Sequence, residues 1–131
     1  MKYACLVYFE GSELASLSRA ESDALTRDSL DYDRELDRRG HLLLAHALQS
    51  PEEAITVRVR GGKISTTDGP FAETKEQLGG FVLVEARDLN EAVQLASRIP
   101  LSKIGCIEVR PVLELSYPRI DEDAAAEGRS A

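Results

Sequence analysis

Glu108 and Arg110 stand two residues apart in an alternating stretch, so both side chains leave one face of a strand while Ile107 and Val109 point the other way. An acid and a base placed so neutralise each other as an ion pair. If that face looks into a cleft, Arg110 becomes an anchor for a carboxylate-bearing ligand and Glu108 a proton acceptor. Asp68 opens an Asp-Gly-Pro turn. Its carboxylate either accepts hydrogen bonds from backbone N–H groups two residues on or, if partly buried, acts as a general base at a cleft mouth. Glu73, Lys75 and Glu76 follow in what reads as a short helical turn. Such a run is either a solvated surface or, with Lys75 beside two carboxylates, a holder for an anionic ligand, with Glu73 and Lys75 as its contacts. His46 shares an apolar strand face with Leu42, Leu44 and Leu48, as a satisfied core or edge residue or as an acid/base group. The two His and two distant Cys residues have no metal-ligand spacing, and there is no GxGxxG, P-loop or Ser-His-Asp pattern, so neither a metal nor a cofactor is expected.

The elements that must position these groups are legible in the periodicity. Lys2 to Phe9 is apolar on both alternating sets and reads as a central strand covered on both faces. Ser18 with Glu21 forms a capping-box pattern, the stripe Leu25, Ser29, Tyr32, Leu36 follows at helical spacing, and Gly40 ends that helix. A second strand is expected over 41–48. Ile55 to Arg60 alternates, Gly61-Gly62 supplies a positive-φ turn, and Lys63 to Thr67 returns as the other arm of an exposed hairpin. Gly80 to Ala86 is a further strand. Gly79-Gly80 marks a bulge or a close backbone approach at its start. Asp88 and Glu91 cap an amphipathic helix carrying Leu89, Ala92, Val93 and Ala96, Pro100 stops it, and Ile104 to Val109 is the last strand, with Pro111 pointing to a sheet edge. Cys5 and Cys106 then fall on neighbouring strands, as two buried thiols in a reducing compartment.

The order strand, helix, strand, hairpin, strand, helix, strand is an α+β, ferredoxin-like βαββαβ unit with one added β-hairpin. In that fold both helices cover one sheet face. Strands apolar on both sides need cover on the other, which a second copy provides sheet to sheet, as a homodimer. The 131 residues hold one domain, over 1–116; from Tyr117 a polar stretch with little to bury reads as a mobile tail over 117–131. A formal charge of −7 argues against attraction to nucleic-acid phosphates or anionic membranes, and no apolar run reaches membrane-span length. A cytoplasmic protein is expected.

The block DGPFAETKEQLGGF from Asp68, with DLNEA from Asp88, Ile99-Pro100 and EVRP from Glu108, resembles the YCII-related family and its DGPF subgroup, over about 2–113. The resemblance implies a dimeric α/β barrel. Most members of that subgroup have no established reaction, and their genes often lie beside extracytoplasmic-function sigma factors. Similar barrels include muconolactone-isomerase-like proteins, small monooxygenases and a dehydrochlorinating branch. The acid/base pair proposed for some YCII-like proteins, a first-helix His and an Asp before the Pro that ends the second helix, has no counterpart here. The first helix lacks His, and Ile99 precedes Pro100.

These readings converge on a small dimer that binds an anionic or aromatic molecule in a barrel cleft, in regulation or stress response. The alternatives are a cofactor-free acid/base isomerase or dehydrochlorinase-like lyase drawing on Asp68, His46 and Glu108, and a protein-binding module acting on a transcription regulator.

Overall fold

The computed structural model describes residues 1–116, so the tail expected from Tyr117 lies outside the described residues. Six strands and three helices form: β1 (Lys2–Phe9), α1 (Gly11–Ala15), α2 (Arg19–Arg38), β2 (Leu42–Ala47), β3 (Ile55–Arg60), β4 (Lys63–Asp68), β5 (Gln77–Glu85), α3 (Leu89–Ser97) and β6 (Cys106–Pro111). The main sheet has the order β2-β5-β1-β6, every neighbouring pair antiparallel, while β3 and β4 form a separate two-stranded sheet. Counting only main-sheet strands, this is the ferredoxin-like arrangement. No described helix is long and apolar enough to cross a membrane.

Local chemistry sets the boundaries. Ser18 caps α2 with the full reciprocal box: its hydroxyl accepts from the Glu21 N–H, and the Glu21 carboxylate accepts from the Ser18 N–H. Those bonds hold the Glu21 carboxyl below its usual range. Asp88 caps α3 by accepting from the Glu91 N–H. Gly61 and Gly62 both have positive φ, as the two-residue hairpin turn requires. The helical turn expected at Glu73–Glu76 is absent. There the Gln77 amide donates to the Ala72 and Thr74 carbonyls and ties the segment into an irregular loop, and β5 begins at Gln77.

One face of the sheet is packed and the other open. Tyr3, Cys5 and Val7 of β1 with Val82 and Val84 of β5 are buried against Tyr32 and Leu36 of α2 and Ala92, Leu95 and Ala96 of α3. Burial pushes the Cys5 thiol up to about 11, so it behaves as a core residue. The Tyr32 hydroxyl donates to the Leu95 carbonyl at 2.6 Å, and Arg98 lies over the Tyr32 ring while its guanidinium grips Glu35 at 2.6 and 3.1 Å. These contacts lock α2 to the end of α3. On the open face, register places Ala4, Leu6 and Tyr8 beside Leu83, Phe81 and Leu78. His46 joins them, its ring 5.8 Å from that of Phe81. Leu42 does not share the His46 face: a register shift between Leu42 and Leu44 sets Leu42 opposite the buried Val84. Cys5 and Cys106 are free thiols on adjacent strands, opposite Val109 and Tyr8, but on opposite faces, so only Cys5 is buried as expected and Cys106 is exposed on the open face.

Candidate functional site

The space beneath the middle of α2, from Ser22 to Asp33, is not filled. Near its C-terminal end, Tyr32 and Leu36 meet Tyr3 and Val84 and close the core. Farther along, the strand positions facing the helix are Ala45, Ala47 and Gly80, with Ala47 paired to Gly80 and Ala45 to Val82. Small side chains there leave a cavity of about 410 Å³ between helix and sheet. Gly80 is required: a Cβ on it would lie 2.8 Å from the His46 carbonyl oxygen. Leu14 of α1, Leu25 and Leu30 of α2, and Ile99 and Leu101 after α3 supply apolar walls.

Ser22, Thr26, Ser29 and Asp33 line the same cavity from α2, at i, i+4, i+7 and i+11, which is one side of a helix. Asp33 is partly buried, and its carboxylate has no hydrogen-bond partner among the described residues. Desolvation raises its pKa above the ordinary 3.8. Besides Asp33, His46 is the other ionisable residue among the described lining residues, and its ring lies with Phe81 on the opposite sheet face. No Lys or Arg lines the cavity.

The residues singled out from sequence lie elsewhere, in separate places. Asp68 is exposed at the end of β4; the turn it begins is held by the Gly69 N–H donating to the Ala54 carbonyl at 2.7 Å and by the Thr56 hydroxyl donating to the Gly69 carbonyl at 2.8 Å. Glu108 and Arg110 leave the open face of β6 as an ion pair at 3.2 Å. Lys75 and Glu108 share an open groove with Tyr8, Glu10, Glu76 and Cys106, whereas Glu73 is exposed in the loop outside it. The Cys106 thiol in that groove contacts the Glu76 carboxylate at 3.6 Å, and desolvation, then that carboxylate, raises its pKa. The structure thus brings Lys75 and Glu108 together and separates both from Asp68. Among the described residues no three of His, Cys, Asp or Glu cluster as metal ligands.

In the sequence Asp33 follows directly on the inward Tyr32 and reads as one more charge on an acidic helix. Its signal was the polar spacing with Ser22, Thr26 and Ser29, flanking the apolar stripe.

The profile of the YCII-related domain matches residues 1–116, the whole described chain. The chain belongs to the YCII-related family. A relative, an uncharacterised protein of Rhizobium meliloti (strain 1021), is 36% identical over 114 residues, covering 86% of this chain and 92% of that protein. Among solved structures, 5-chloro-2-hydroxyhydroquinone dehydrochlorinase (TftG) from Burkholderia phenoliruptrix AC1100, in complex with 2,5-dihydroxybenzoquinone, is similar with a TM-score of 0.51 and 14% identity, covering 88% of this chain and 96% of that one. At that identity the likeness speaks for the fold, ferredoxin-like in both.

Proposed function

We propose that this YCII-related protein binds a small, uncharged, hydroxyl-bearing molecule in the cleft between α2 and the sheet, and that Asp33 exchanges a proton with it without a cofactor. The observation that carries this reading is the unpartnered, desolvated Asp33 carboxyl in an otherwise apolar and hydroxyl-lined cavity. A carboxyl raised toward neutrality can accept a proton from a ligand hydroxyl, or return it, closer to physiological pH than a solvated Asp can. Of the two ligand classes expected from sequence, the cleft favours the uncharged aromatic one. An anion would face Asp33 with no cation to offset the repulsion, since Arg110 is engaged by Glu108 and Lys75 lies in the other groove. A cofactor-free isomerase or lyase follows if the proton moves at carbon, and the chemistry named for TftG is a precedent on this fold. The DGPF block supports membership of that subgroup, and two free thiols suit a cytoplasmic setting. The open face of Leu6, Tyr8, Phe81 and Leu83 pairs with a second copy, making a homodimer.

The test compares p-cresol, cyclohexanol and benzoate as additives in thermal unfolding of the wild type and Asp33→Asn. The two alcohols should raise the wild-type melting temperature, benzoate should not, and Asp33→Asn should lose most of the gain. Stabilisation by benzoate equal to that by p-cresol, or an unchanged response in Asp33→Asn, would refute the reading.

A further inference from the structure

We infer that the β3–β4 hairpin is an arm that embraces a second copy of this chain, with Ile55, Val57, Val59 and Ile64 as its contact face. This rests on the homodimer proposed above and names a part of each copy that the pairing of sheets alone does not require.

Register sets Val59 opposite Ile64, Val57 opposite Thr66 and Ile55 opposite Asp68, so the large aliphatics collect on one side of the hairpin. They are uncovered: Ile55 is 63%, Val57 60%, Val59 56% and Ile64 75% exposed. The hairpin has no ladder to the main sheet. A lone two-stranded ribbon is marginal in water, and one with an aliphatic face needs a surface to lie on.

Two features point to another copy as that surface. The first is continuity. Leu48, at the end of β2, and Leu78, which pairs with Tyr8 on the open face, line one hollow of about 540 Å³ together with Ile55 and Phe71. Through this hollow the apolar surface of the open sheet reaches the base of the hairpin, and Phe71 stands at the junction 81% exposed. A copy seated on the open face also meets the arm. The second is charge. The hairpin carries Arg58, Arg60 and Lys63 against the single acid Asp68 at its base, in a protein whose net charge is −7. Arg60 and Lys63 flank the turn at the arm's tip, while three acids, Glu10, Glu76 and the Arg110-paired Glu108, outnumber Lys75 in the groove beside β6. A basic arm with an apolar underside is thus complementary to the acidic, apolar-faced body of its own kind.

Sedimentation equilibrium over a range of concentrations tests this on the full chain. The variant Val57→Thr/Val59→Thr/Ile64→Thr keeps β-branched residues, hence strand preference, while removing the aliphatic face. Its dimer dissociation constant should rise at least tenfold over wild type, with unchanged far-ultraviolet circular dichroism. A second variant, Arg60→Glu/Lys63→Glu, leaves every apolar contact in place and should also weaken the dimer, with the loss shrinking at high salt; it carries the test if the first variant does not fold. A wild-type dimer as tight as that of both variants overturns the arm and leaves the sheet-to-sheet dimer standing. A wild-type monomer at 100 µM overturns the dimer reading and the arm with it.

Discussion

Asp33 shows how an unremarkable residue type acquires an unusual environment from its place. Eleven positions beyond Ser22 and next to the buried Tyr32, it lines a hollow that holds no Lys or Arg. Its raised pKa has a consequence for stability. Between 3.8 and the higher folded value the native state binds more protons than the unfolded chain, so stability attributable to Asp33 is present below that window and lost as pH rises through it. Asp33→Asn should therefore be more stable than wild type at pH 7, with the difference closing as pH falls toward 4, as urea unfolding at the two pH values will show. A gap that widens toward acid would mean that the ionised carboxylate is stabilised by the fold. Glu35 runs the other way: Arg98, and then Arg39, hold its carboxyl low, which suits a link between helices rather than a proton carrier. Residue types marked the Glu108–Arg110 pair in the sequence, and the structure places the two together. Residue types did not distinguish Asp33 from its acidic neighbours, because desolvation belongs to the assembled cleft.

At the scale of elements, the sequence was informative wherever one local rule acts alone. The capping boxes, the glycine turn and the two-residue alternation placed α2, α3, the hairpin and the core strands within a few residues. It was less informative where two elements must negotiate. The shift at Leu42/Leu44 reverses the face of Leu42, and the loop after Gly69 is shaped by Gln77 reaching back, which no periodicity shows. The DGPF turn makes the same point. Its order comes from Thr56 on the opposing strand, so Thr56→Val should cost about 1 kcal/mol in chemical unfolding while Asp68→Asn leaves stability unchanged. Gly69→Ala should cost about 1–2 kcal/mol, since φ there is +93° with open space around the added methyl. The cleft is an element-scale property too. It exists because β2 and β5 present Ala45, Ala47 and Gly80 to α2, so Ala45→Leu should fill part of it, hold or raise the melting temperature, and abolish the response to p-cresol.

For the whole molecule, order of elements and strand patterning sufficed for the α+β ferredoxin-like architecture, and the long block from Asp68 sufficed for the family. The location of the working surface was not legible. The sequence directed attention to the open face and to the charged loop, because apolar strands and charge runs are what a linear reading sees; a cavity is made by what is small, and Ala and Gly announce nothing at their own positions. On the reading proposed above, the helix side holds the cleft and the open side, with the arm, meets a second copy. Backbone chemical-shift mapping of the isotope-labelled protein with p-cresol tests this division most directly. The account predicts that shifts concentrate at Thr26, Ser29, Asp33, Ala45 and Gly80, and that Asp33→Asn diminishes them. Shifts concentrated instead at Asp68, Lys75, Glu108 and Arg110 would contradict it.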